Sequence, residues 1–183
     1  MNKTYLYIGV AILIVVIGGV IISGGGGSQE STPNGGDKIS ADIQKNTSPL
    51  PVDIELKDYD GNTVSLSDYI GTPLVINSWA VWCPFCVEEL KEFSAVQREL
   101  GDAVIIIAID RAERGSRVQS FTDDLGVTND LIFLLDSRDA FYKKIGGFSM
   151  PETVFVNAEG NIIIHKRGPM KAAEIKEKIQ SIL

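Results

Sequence analysis

The chain has 183 residues, of which 44% are hydrophobic and 22% charged, and its formal net charge is −7 at pH 7. An acidic balance of that size excludes a nucleic-acid binder, which needs a basic face to displace the counterions of phosphate. Basic and acidic residues are equal in number before position 50, so the whole excess falls on residues 50–183, a length that suits one hydrophobic core and not two.

Tyr5 to Ile22 is a run of 18 residues without a charge. As a helix it would be about 27 Å long, close to the thickness of a bilayer's hydrocarbon core. Lys3 precedes it and no early positive charge follows, which favours a cytoplasmic amino terminus, with Tyr5 and Tyr7 placed as interfacial anchors. The expectation is a single-pass anchor in the cell membrane, with everything after it on the extracytoplasmic side. A cleaved signal peptide is the rival, weakened because the stretch exceeds the usual ~7–15 apolar residues and no A-x-A-type site follows. No cysteine follows the run, so a lipidated anchor is excluded. Residues 23–49, with Ser-Gly-Gly-Gly-Gly-Ser and Ser-Thr-Pro-Asn-Gly-Gly, are too poor in apolar residues to offset the entropy of ordering and read as a flexible linker. Residues 1–22, 23–49 and 50–183 are thus anchor, linker and folded domain.

Within the domain, Ile54-Glu55-Leu56 and Val64-Ser65-Leu66 flank the turn dipeptide Asp60-Gly61 and predict a hairpin. Leu74 to Trp79 reads as a buried strand. From Val87 to Leu100, Leu90, Phe93, Gln97 and Leu100 recur at helical spacing, and Gly101 ends the pattern. Ala103 to Ile109 is almost wholly apolar, as a strand covered on both faces would be. Ser116 is expected to cap a helix ending near Gly126; Leu131 to Leu135 is a further central strand, and Ala140 to Ile145 a short helix closed by Gly146. Thr153 to Val156 and Asn161 to Ile164 form a second hairpin, and a last helix over 171–183 sets Ile175, Ile179 and Leu183 on one face. This order predicts an α/β domain, a central mixed sheet flanked by helices, with the first hairpin as an amino-terminal extension.

The chemistry concentrates in Trp82-Cys83-Pro84-Phe85-Cys86, which contains the only two cysteines. At a strand-to-helix junction the first sulfur faces the unpaired N–H groups and positive end of the helix, which favour a thiolate, while the second lies one turn in. Residues three apart on a helix can be bridged by a disulfide. The predicted arrangement is one exposed, activated sulfur and one shielded. Three rival readings are weaker. A structural disulfide closing so short a loop would restrict the unfolded chain little. A zinc site needs about four ligands, and two cysteines with the single His165 fall short. A thiol peroxidase of the peroxiredoxin group would carry Pro and Thr or Ser where this chain has Ile76 and Ala80.

Trp79-Ala80-Val81-Trp82-Cys83-Pro84-Phe85-Cys86, with Met150-Pro151-Glu152-Thr153-Val154-Phe155-Val156-Asn157-Ala158-Glu159-Gly160 downstream, resembles the TlpA/ResA-type branch of the thioredoxin-like superfamily, membrane-anchored thiol-disulfide oxidoreductases. The resemblance covers essentially all of residues 50–183 and implies a thioredoxin-like fold. It further implies that Pro151 is cis and packs opposite the disulfide, leaving the Met150 backbone free to pair with a substrate strand. Asn77 stands where thioredoxin has a buried aspartate; in the extracytoplasmic branch a carboxylate three residues after the second cysteine takes a similar place, and here that residue is Glu89. Sharing a helix face with Cys86, Glu89 is expected to accept its proton, with its pKa raised by desolvation; the alternative is a solvated glutamate like Glu88 and Glu92. Pro84-Phe85 departs from the Glu-Pro type of dedicated haem-pathway reductants.

The function expected is dithiol–disulfide exchange with exported protein substrates, apocytochromes among them, by an enzyme needing no cofactor or metal and recharged by a membrane-embedded redox partner. A reductant is favoured; a disulfide-forming oxidant, the peroxidase and a non-catalytic partner-binding module are the alternatives. Cys83, Cys86 and Glu89 are the candidate catalytic residues, and Trp82, Phe85, Met150 and Pro151 the candidate substrate contacts. Trp79 is assigned to the core, Arg111, Arg114 and Arg117 to a solvated basic loop, and His165 to the surface.

Overall fold

The computed structural model describes residues 47–183. The predicted anchor and nearly all of the predicted linker lie outside the described residues; among those described, no helix is long and apolar enough to cross a membrane. Eight strands form one mixed sheet, namely β1 (Ser48–Pro49), β2 (Leu56–Lys57), β3 (Thr63–Val64), β4 (Leu74–Trp79), β5 (Ile105–Arg111), β6 (Ile132–Asp136), β7 (Glu152–Val156) and β8 (Asn161–Arg167), in the order β1-β8-β7-β4-β5-β6-β2-β3. The helices are α1 (Pro84–Leu100), α2 (Gly115–Leu125), α3 (Ala140–Lys144) and α4 (Ala172–Gln180).

All six residues of β4 are buried, because β4 sits between parallel β5 and antiparallel β7 and is covered on both faces. Alternation along the strands sorts the core into two layers. Val75, Trp79, Ile106, Ala108 and Phe155 pack under α1, α2 and α4, together with Phe93, Val118 and Ile175. Leu74, Ile76, Ile107, Ile109 and Val154 face the other way, against Leu56, Leu66 and Phe141 of α3. Phe155 has no exposed surface. Phe155→Ala is expected to cost about 3–5 kcal/mol, read as a lower denaturation midpoint at unchanged m-value.

Several boundaries differ from the sequence reading. Ser48 and Pro49, assigned to the linker, pair with Ile162 and Asn161, and Leu50 behind them is buried, so the sheet begins inside the predicted linker. The first hairpin shrinks to two residues a side because Leu66 leaves it for a short 3-10 turn capped by the reciprocal Ser65–Asp68 box. Ser116 does not cap α2; Arg114 precedes the helix, with no side-chain cap. The helix starts at Gly115, which lies so close to β6 that an added Cβ would meet Leu135 at 2.7 Å. At the carboxyl end α4 stops at Gln180, where the Ser181 hydroxyl donates to the Lys178 carbonyl; Ile182 turns inward and Leu183 is 63% exposed.

Candidate active site

β4 ends at Trp79, whose ring is locked between Phe121 and Phe133, so the segment that follows leaves the sheet from a rigid base. Ala80 to Cys83 forms a turn closed by the Cys83 N–H on the Ala80 carbonyl at 3.1 Å. Cys83 is then the amino-terminal cap of α1: its backbone is extended, Pro84 occupies the first turn, where a missing N–H costs nothing, and Sγ accepts the Cys86 N–H at 3.2 Å. Cys83 and Cys86 form a disulfide with their Cα atoms 5.3 Å apart.

The predicted exposed-and-shielded contrast is smaller than expected. Cys86 is fully buried, but Cys83 retains only 4% exposure, so in the disulfide form both sulfurs are covered. The exposed surface belongs to their neighbours, Trp82 at 62% and Phe85 at 65%, which stand out as the apolar rim the sequence suggested.

Glu89, one turn beyond Cys86, is 1% exposed, whereas Glu88 points outward to Lys91 and Glu92 bonds Lys171 and the Ala172 N–H. The solvated reading therefore fails for Glu89. Its Oε2 accepts from Asn77 Nδ2 at 3.0 Å and its Oε1 from the Met170 N–H at 2.8 Å. Burial pushes its pKa up to about 8, the two hydrogen bonds opposing that rise only in part. Asn77 also donates to Thr153 Oγ1 at 3.0 Å, tying the acid to β7 next to Pro151.

The Met150–Pro151 peptide is cis, as the resemblance implied. Met150 packs against the same buried cluster as Cys83 and Cys86, and neither its N–H nor its carbonyl is hydrogen-bonded among the described residues. What holds this segment was not legible in the sequence. Glu152, fully buried, accepts the Phe148 and Ser149 N–H groups on Oε1, both at 2.6 Å, and faces His165 Nε2 at 2.6 Å through Oε2. Although burial acts to raise its pKa, the bonds from Ser149, Phe148 and His165 together hold it below the usual carboxylate range. His165 is thus a half-buried partner of Glu152 rather than a free surface residue. The Tyr142 hydroxyl donates to the Ser149 carbonyl at 2.8 Å.

Arg111 also leaves its predicted solvated loop. It ends β5, makes a paired hydrogen bond to Asp139 at 2.7 Å for each arm, lies 3.4 Å over the Tyr142 ring and reaches the Met150 sulfur at 2.7 Å. Arg114 and Arg117 are exposed as expected. Phe148, two residues before Met150, is an 86% exposed aromatic that sequence reasoning did not single out. Its signal was an aromatic between Gly146-Gly147 and a proline, outside any periodic run.

Residues 44–180 match the family described as Redoxin. The thiol:disulfide interchange protein DsbE of Haemophilus influenzae is 30% identical over 109 residues, 60% of this chain and 55% of that protein, so the chain spans little more than half of it. The thiol-disulfide oxidoreductase ResA of Geobacillus thermodenitrificans is 27% identical over 133 residues, 71% of this chain and 74% of that one. Among solved structures, a DsbF homologue from Corynebacterium diphtheriae gives a TM-score of 0.66 at 24% identity, covering 85% of this chain and 99% of that chain. The fold is thioredoxin-like, and the similarity to ResA agrees with the resemblance carried by the cysteine motif.

Proposed function

From the premise that the chain belongs to the Redoxin family and is a thiol-disulfide oxidoreductase of the ResA and DsbE kind, we propose that it is a reductant of disulfides in exported proteins. Residues 5–22 would tether it to the membrane with the domain outside. The reading rests on the burial of Glu89 one turn from Cys86.

In the forward direction the Cys83 thiolate attacks one sulfur of a substrate disulfide. That bond breaks, a Cys83–substrate disulfide forms, and one substrate thiolate departs and takes a proton from water. Cys86 passes its proton to Glu89 and attacks Cys83 Sγ, expelling the second substrate thiolate. Two electrons have moved to the substrate, and the protein ends as the Cys83–Cys86 disulfide; a dithiol donor must restore it. A carboxyl near 8 is well matched to a thiol of ordinary acidity near 8.5, so the proton moves between them with little free-energy change. Trp82, Phe85 and the open backbone of Met150 would receive the substrate chain.

The surroundings of the sulfurs support this direction. The buried ionisable group one turn from Cys86 is an acid, Glu89 on α1, and the hydrogen bond that Cys83 Sγ accepts comes from the Cys86 N–H and not from a cation. With no cation bonded to it, the Cys83 thiolate is held by the helix end alone, a weaker hold than a strongly oxidising pair needs, so the disulfide is favoured and the dithiol is a good electron donor. Equilibration of the full chain in redox buffers tests this: a potential near −270 mV is expected, and one near −120 mV would identify an oxidant instead.

A further inference from the structure

Two acids, Asp110 and Glu113, lie beside the loop that precedes Cys83 and carry neither proton nor electron in the exchange itself. Asp110 is paired with Trp79 across the β4–β5 ladder, and Glu113 follows in the connection to α2, one residue after Ala112, whose φ of 60° is left-handed. Glu113 Oε2 accepts the Val81 N–H at 2.6 Å, and the Glu113 N–H donates to Asp110 Oδ1 at 3.0 Å. The first of these supplies what the loop cannot. In the turn from Ala80 to Cys83 the closing bond uses the first and last residues, and the N–H of the second, Val81, has no partner within the turn.

On the reading that Cys83 is the attacking sulfur, we propose that Glu113 and Asp110 are its positioning residues: Glu113 holds the Val81 N–H and so fixes the turn that presents Cys83, and Asp110 sets the backbone from which Glu113 reaches it.

The pair also titrates in a useful range. Asp110 is 1% exposed and its Oδ2 has no partner. Burial first, and Glu113 beside it second, push its pKa up to about 7. Below that pH Asp110 is neutral; above it a negative charge develops beside Glu113, and the hold of Glu113 on Val81 weakens. The other charged or titratable groups around the pair are Tyr59 from the loop after β2, Arg117 on α2 at 3.8 Å from Glu113, and Arg111 on β5. Tyr59 is held well above its usual range by burial, and the bond to Asp139 raises Arg111 further, so neither changes charge near neutrality.

The test follows the Val81 amide of the oxidised, nitrogen-15-labelled full chain, whose cysteines cannot titrate, in detergent micelles from about pH 5 to 9, and the rate at which the reduced protein reacts with the small disulfide dithionitrobenzoate. The wild-type Val81 proton resonance should shift with a midpoint near 7, and Asp110→Asn should make it flat. Glu113→Ala should react about tenfold more slowly than Glu113→Gln. Both variants lack the charge and only glutamine keeps an acceptor for Val81, so the difference isolates positioning. A wild-type resonance that does not titrate, or equal rates in the two Glu113 variants, would overturn the proposal. If Glu113→Ala does not fold, the flat resonance required of Asp110→Asn still decides. Neither readout involves a protein substrate: a chain that fails to reduce insulin while Val81 titrates as expected defeats the proposed function and leaves the acid pair's hold on the loop intact.

Discussion

Cys83→Ser is expected to bring insulin reduction down to the uncatalysed rate, a loss on the order of 10³-fold or more, because no other sulfur can open the substrate disulfide. Cys86→Ser separates the two halves of the cycle. It retains the attacking thiolate but lacks the group that expels the substrate, so the protein should accumulate as a mixed disulfide, visible as a mass increase on a non-reducing gel and reversed by dithiothreitol. The two variants should therefore be inactive in different ways, one free of adduct and one trapped. A module that merely bound its partner would give no adduct with Cys86→Ser, and turnover that survived Cys83→Ser would remove the assigned nucleophile altogether.

The second large effect is expected at Glu89. In single-turnover experiments the resolution of the mixed disulfide should quicken as pH rises through about 8, where Glu89 becomes able to take a proton. Glu89→Gln should slow that step about 10²-fold and remove this dependence, leaving only the ionisation of the thiol itself. Stability should respond in the opposite sense. The folded-state value of about 8 lies above the ordinary 4.5, so the folded protein binds this proton more tightly than the unfolded chain. The resulting stabilisation is fully present below about pH 4.5 and is lost as pH rises to about 8; it should be on the order of a few kcal/mol. Denaturation midpoints measured at the two ends of that window should differ in the wild type by clearly more than in Glu89→Gln. Equal differences would mean that Glu89 is not titrating from a buried, protonated state.

Much of this site could be read from residue order because its parts are local. A Cys-x-x-Cys pair between an apolar run and a helical period places one sulfur on a helix cap and the other a turn inside, whatever the rest of the chain does. Glu89 was singled out by the resemblance, and its offset from Cys86 agreed with a shared helix face. Its burial was not local: it depends on Asn77 from β4 and on the Met170 N–H, 81 residues downstream. The residues misread are those whose partners come from distant segments. Arg111 looked like a member of a basic loop until Asp139, Tyr142 and Met150 converged on it, and His165 looked like a surface residue until β7 brought Glu152 alongside. Asp110 did carry a usable sign, an acid at the end of an otherwise apolar strand, where an unpaired carboxylate is costly. Boundaries slipped where a distant pairing chose the end, as where Ser48 and Pro49 join Ile162 and Asn161.

The near-complete enclosure of Cys83 bears on which proteins this enzyme can serve. With 4% of the residue open and aromatic side chains standing on either side of it, the sulfur is reached through a keyhole, and the attacking atom must arrive on something thin. A cysteine on the curved surface of a finished globule would be stopped by its own surroundings before the sulfurs met. One carried on a slack, extended polypeptide would pass, an arrangement that favours unfolded over folded partners.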